Sequence, residues 1–142
     1  MVDDSAQDAQ RIVKAFAAVG MSADVVRLSN AEAVSSAILV GSWDVIVCDP
    51  ALTEVKVERL LWTTRLVMPT VPIIIAAEHY PHHLWHEFGS GMASLYLSKH
   101  NLLDLPAIVV ALLLRGSELH LEQRPRFRRA DLQDLPVLPQ VA

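Results

Sequence analysis

Asp44-Val45-Ile46-Val47-Cys48-Asp49-Pro50 is the stretch on which the fold turns. Four apolar residues in a row, two of them valine, stand between two acids and are closed by proline. A strand with one wet face alternates apolar and polar residues. A continuous apolar run of this length suits a strand buried on both faces, as in a parallel sheet covered by helices. Val71 to Ala77 is a second such run, with Pro72 at its beginning where a strand tolerates proline. Ser94 to Leu97 is a third, brief one, and Asp24 to Leu28 reads as a short strand nearer the start. Helical patterns lie between these runs. Asp4 or Ser5 can cap a helix whose apolar positions Ala9, Ile12, Val13, Phe16 and Val19 recur at helical spacing, and Gly20 ends it. Ser29 or Asn30 caps the next helix, which carries Ala33, Val34, Ala37 and Ile38 and ends near Gly41. Val55, Leu60, Leu61, Leu66 and Val67 mark a third. Residues 81–89 form a short helix opened by Pro81. Residues 104–122 form a last, very apolar helix with Pro106 in its first turn. Such alternation means right-handed crossovers and an open, doubly wound α/β sheet with helices on both faces. In that architecture a site lies at the carboxyl ends of the strands.

The chain has 142 residues, 52% apolar and 20% charged, which fits one folded domain and excludes a disordered chain. No uncharged apolar run approaches the ~18 residues of a membrane span. The amino terminus, with Asp3 and Asp4, lacks a basic, apolar leader pattern, so a cytoplasmic protein is expected. A single cysteine, Cys48, excludes disulfide scaffolds and zinc knuckles and reads as a small core residue. Residues 1–122 carry 8 basic and 14 acidic side chains, against 4 and 2 in residues 123–142. The acidic body argues against nucleic-acid binding by the main domain. The expected organisation is a domain over 1–122 and a basic, proline-containing tail over 123–142. That tail includes Arg124-Pro125-Arg126-Phe127-Arg128-Arg129 and is too short for a DNA-binding domain.

The chemistry sits at the strand ends. Asp3 and Asp4 stand just before the first helix, Asp49 ends the quoted run, and Lys99 follows the last strand. Each acid alone is an ordinary cap or turn former. Together, carboxylates at strand ends make a hard-oxygen site suited to magnesium, and a lysine opposite pairs with an anion such as a phosphoryl group.

Those residues, in that order, carry a resemblance. Val2-Asp3-Asp4-Ser5, Trp43 to Asp49, Val71 to Ala77, and Tyr96-Leu97-Ser98-Lys99 with Asn101-Leu102 after it are similar to the receiver domain of bacterial response regulators. The resemblance covers about residues 2–118. It implies a flavodoxin-like (CheY-like) open, parallel, five-stranded sheet. It implies Asp49 as phosphoacceptor, Lys99 as the cation that pairs with the phosphoryl group, and Mg2+ held by Asp3, Asp4, Asp49 and the Ala51 carbonyl. Tyr96 falls at the family's rotating aromatic. A histidine kinase or phosphotransfer protein would donate the phosphoryl group. The implied function is a stand-alone receiver in two-component or phosphorelay signalling that acts by protein contact and is not an enzyme. The sequence also departs from the family. Ala77 stands where receivers carry a switch Ser or Thr, the loop after Asp49 lacks the usual Pro and Gly, and His100 replaces a proline. Only Met1 and Val2 precede Asp3, so the first strand is short or missing. These departures favour the alternative, a phosphorylation-independent pseudo-receiver used for interaction or dimerisation.

The remaining features are expected to be structural. His79, His82, His83 and His86 read as a solvated polar helix rather than a zinc site. Trp43, Trp62 and Trp85 read as packing residues, with Trp62 and Trp85 as candidate contact anchors. The run Leu105 to Leu114 is apolar around the whole helix, so a homodimer or a protein partner is expected to dock there.

Overall fold

Ile73–Ala77 is buried along its whole length and forms the middle strand of a three-stranded parallel sheet. The computed structural model describes residues 1–119. The sheet is ordered β1 (Ile46–Cys48), β2 (Ile73–Ala77), β3 (Leu95–Ser98). Register runs Val47 opposite Ile74 and Ile75 opposite Tyr96. The helices are α1 (Ala6–Ala18), α2 (Ala31–Val40), α3 (Val57–Val67), α4 (Trp85–Gly89) and α5 (Leu105–Leu119). Short 3-10 turns, His82–Leu84 and Lys99–Asp104, precede α4 and α5.

Two apolar layers follow from the period of two along the strands. Ile46, Cys48, Ile73 and Ile75 pack on Val34 and Ile38 of α2 and Leu60 and Leu61 of α3. Val47, Ile74, Ala76 and Leu97 pack on Ile12 and Phe16 of α1 and Val109 of α5. A strand covered on both sides needs apolar residues at every position, which is why the deciding stretch does not alternate.

The expected caps hold. Ser5 accepts the Asp8 N–H at 3.1 Å and Asn30 accepts the Ala33 N–H at 2.8 Å. Gly20 adopts a positive φ of 74°, which a side chain would resist. Trp43 packs inward and donates its indole N–H to the Ala37 carbonyl at 2.8 Å. Trp62 and Trp85 are exposed.

Five strands are expected from the sequence, and three are formed among the described residues. Val2 makes single parallel bridges to Leu28 on one side and Cys48 on the other. The Met1 amine donates to the Val26 carbonyl at 2.8 Å, and Leu28 N–H donates to the Met1 carbonyl at 2.9 Å. The expected strand over 24–28 therefore pairs only at its end. Its partners among the described residues are Met1 and Val2.

In α5, Leu105, Pro106 and Val109 are buried, Ile108 and Leu112 are half-buried, and Val110 is exposed. No helix among the described residues is long and apolar enough to cross a membrane. The tail over 123–142 and the boundary before it lie outside the described residues.

Candidate functional site

Asp49 is the first residue past β1, and Asp3 follows Val2, which bridges to the last residue of β1 in parallel. At each, the chain turns and the carboxylate accepts a backbone N–H two residues on. Asp3 Oδ1 accepts from Ser5 at 2.8 Å, and Asp49 Oδ1 accepts from Ala51 at 2.8 Å. These turns leave each Oδ2 aimed at one point, where the chain leaving β3 places Lys99. Its Nζ lies 2.9 Å from Asp3 Oδ2, 2.6 Å from Asp49 Oδ2 and 3.0 Å from Asp8 Oδ2.

Asp8 belongs to the cluster although sequence reasoning passed over it. It lies in the first turn of α1, on the stripe that buries Ile12, Ala15 and Phe16. An acid on a buried stripe was the available signal. Ser5 caps the Asp8 N–H, so the cap itself orients the residue that holds Lys99. Arg11, also passed over, closes the arrangement. Its guanidinium meets Asp8 Oδ1 at 3.0 Å and donates to the Lys99 carbonyl at 2.8 Å.

Three carboxylates face one ammonium, so the inner group carries excess negative charge, partly offset by Arg11. Burial works against the Lys99 ammonium. Hydrogen bonds to Asp49, Asp3 and Asp8 outweigh it and raise its pKa above the ordinary value. Burial likewise opposes charge on Asp8, and its bonds to Lys99 and Arg11 prevail, lowering its pKa. Burial pushes the neighbouring Cys48 thiol up to about 12, so it is an inert core residue.

Accessibility separates the three acids. The Asp3 side chain is 1% exposed, whereas Asp49 keeps 14%. Asp8 is 12% exposed, but both its oxygens are taken by cationic side chains. Asp49 is thus the carboxylate with a reachable face and one oxygen bonded only to a backbone amide. Asp4 and Ala51 are exposed, and the Ala51 N–H is bonded to Asp49. The carboxylates of Asp4 and Asp49 and the carbonyl of Ala51 are hard oxygen donors, the type magnesium prefers, while no three His, Cys, Asp or Glu side chains among the described residues are grouped to hold an ion.

Ala77, at the end of β2, is buried and offers no hydroxyl. Its carbonyl accepts from the Tyr96 hydroxyl at 3.3 Å. The Tyr96 ring is half-buried and meets Tyr80 edge-on at 5.2 Å. His100 pairs with Glu78 at 3.1 Å on the exposed rim. Among the described residues, His79, His82, His83 and His86 form no group able to hold a metal ion. His82 instead packs its ring on Tyr80. The structure thus brings Asp3, Asp49 and Lys99 together, adds Asp8 and Arg11, and leaves Asp4 on the rim. No protein-family model matches the chain, and no curated protein matches it.

Proposed function

We propose that this chain is a receiver-type signalling module that accepts a phosphoryl group on Asp49 and acts by protein contact. The observation that carries this reading is the placement of Lys99 Nζ within 3.0 Å of Asp3 and Asp49, where parallel pairing ends, and of Asp8 in α1. In this reading Asp49 Oδ1, the oxygen not paired with Lys99, attacks the phosphorus of a phosphohistidine donor. The P–N bond breaks as the O–P bond forms, and the departing imidazole takes up a proton. Lys99 moves its hydrogen bond from the Asp49 oxygen to a phosphoryl oxygen, a charge-assisted pairing. Asp3 and Asp8 hold the ammonium in place meanwhile, and Arg11 holds Asp8. Magnesium held by Asp4, Asp49 and the Ala51 carbonyl, with Asp3 beside it, would offset charge on the phosphoryl oxygens.

The five-stranded, flavodoxin-like sheet belongs to the same proposal. The bridges from Val2 to Leu28 and Cys48 support it, since they extend the parallel order by two positions. The donor is a histidine kinase or phosphotransfer protein in the cytoplasm. Contact with a second copy or another protein runs through α5, where Val110 is exposed.

A second reading, a phosphorylation-independent interaction module, is favoured by one observation. Ala77 cannot hydrogen-bond a phosphoryl group, which forfeits roughly 1.5–3 kcal/mol of charge-assisted bonding. Intact mass after incubation with acetyl phosphate and magnesium separates the two. The leading reading expects an adduct on the wild type that Asp49→Asn abolishes. No adduct under conditions that label another receiver supports the second.

A further inference from the structure

Lys99 is held at both of its ends by a residue of α1. Its ammonium has three N–H donors, and three carboxylate oxygens meet it: Asp49 Oδ2 at 2.6 Å, Asp3 Oδ2 at 2.9 Å and Asp8 Oδ2 at 3.0 Å. The second oxygens of Asp3 and Asp49 are fixed by backbone N–H groups. The second oxygen of Asp8 is fixed by a side chain instead, Arg11 Nη1 at 3.0 Å. The other arm of the same guanidinium, Nη2, donates to the Lys99 carbonyl at 2.8 Å. Arg11 therefore grips the backbone end of Lys99 directly and the ammonium end through Asp8. Between those ends runs a flexible four-carbon stem that could otherwise carry the charge to many places. Neither Asp8 nor Arg11 belongs to the motifs that carry the receiver resemblance.

We propose that Arg11 is a positioning residue for the phosphoryl-pairing lysine, and that it acts by the geometry of its guanidinium and not by charge alone. The role rests on the reading of Asp49 as the phosphoacceptor. When Lys99 gives up Asp49 for a phosphoryl oxygen, its bonds to Asp3 and Asp8 remain to aim it. Asp3 is anchored by the main chain at Ser5. Asp8 keeps its aim only while Arg11 holds its other oxygen. A planar fork can reach two acceptors at once with two different nitrogens, whereas an ammonium is a compact point charge. Arg11→Lys thus keeps the charge and loses the fork.

A plainer role is a surface tie between α1 and the turn after β3. The Arg11 side chain is 41% exposed and belongs to neither apolar layer, so its replacement leaves the packed core in place. A surface tie would alter stability alone. A positioning role alters the state of the Lys99 ammonium and the rate of phosphoryl transfer.

Two readouts on the full-length protein test the assignment. The first is the nitrogen-15 NMR signal of the Lys99 ammonium without any phosphoryl donor, visible when a sealed, bonded ammonium exchanges its protons slowly. It is expected in the wild type and in Lys14→Gln, which removes the neighbouring exposed charge of α1. It is expected to be lost in Arg11→Lys and Arg11→Gln. The second is the rate of labelling by acetyl phosphate with magnesium. It is expected to fall about tenfold in both Arg11 variants, the scale on which small misplacements slow a reaction, and to hold in Lys14→Gln. A wild type without the ammonium signal, or Arg11 variants that keep it, would overturn the proposal whatever the labelling. So would a lost signal with labelling unchanged, Arg11→Lys behaving as wild type, or equal losses in Lys14→Gln. A wild type that takes no label would sink the phosphoacceptor reading instead, and the ammonium signal alone would then decide whether Arg11 positions Lys99.

Discussion

At the residue scale the account rests on Lys99 and the acids that hold it. Asp3 is sealed, so removing its counter-charge leaves a buried carboxylate unpaired. Lys99→Met is expected to cost about 3–5 kcal/mol of stability, measured by urea unfolding. Adding Asp8→Asn should cost less than the two changes summed, because both touch one network. Asp8 also sets an acid dependence. Its folded pKa lies below the ordinary carboxylate value of about 3.9. The stability it contributes is present above that value and is lost as pH falls through the folded one. Unfolding midpoints compared at about pH 5 and about pH 3 should fall more for the wild type than for Asp8→Asn. An equal fall in both would remove Asp8 from the explanation. Much of this site was legible in the sequence. Asp3, Asp49 and Lys99 stand at strand ends and could be named from spacing. Asp8 and Arg11 were not legible because an acid in a first helical turn reads as a favourable dipole partner. Only the buried stripe of α1 tells it apart.

At the element scale, turns and caps place the site. β1 could be read from its unbroken apolar run, and α1 and α2 from their capping residues. The segment over 24–28 forms no strand of its own, because a strand is defined by its neighbour's hydrogen bonds and only Val2 bridges to Leu28. Gly41 shows how tightly the elements meet. It ends α2 with an ordinary negative φ, so no backbone strain requires glycine there. A methyl group at this position would instead strike the Ala37 carbonyl and the Trp43 indole, which are hydrogen-bonded to each other. Gly41→Ala is expected to destabilise by about 1–3 kcal/mol, the usual cost of overpacking. Thermal unfolding checks this, and a neutral result would mean that Trp43 repacks freely.

At the scale of the whole molecule, three parallel strands carry helices on both faces, and their carboxyl ends gather the charged cluster at one pole. The proposed partner contact lies elsewhere, on the outer face of α5. A dimer formed there should sediment as such at micromolar concentration and revert to monomer on Val110→Asp. A species that is monomeric throughout would argue against self-association by this helix. The central claim is that Asp49 is the phosphoacceptor. The most direct measurement treats the acetyl phosphate-labelled protein with borohydride, which reduces an acyl phosphate to homoserine, and maps the product by peptide mass. The account predicts homoserine at position 49 in the wild type, dependent on magnesium and strongly diminished in Lys99→Met. A chain unmodified at Asp49, or modified at another residue with Asp49 intact, would contradict it.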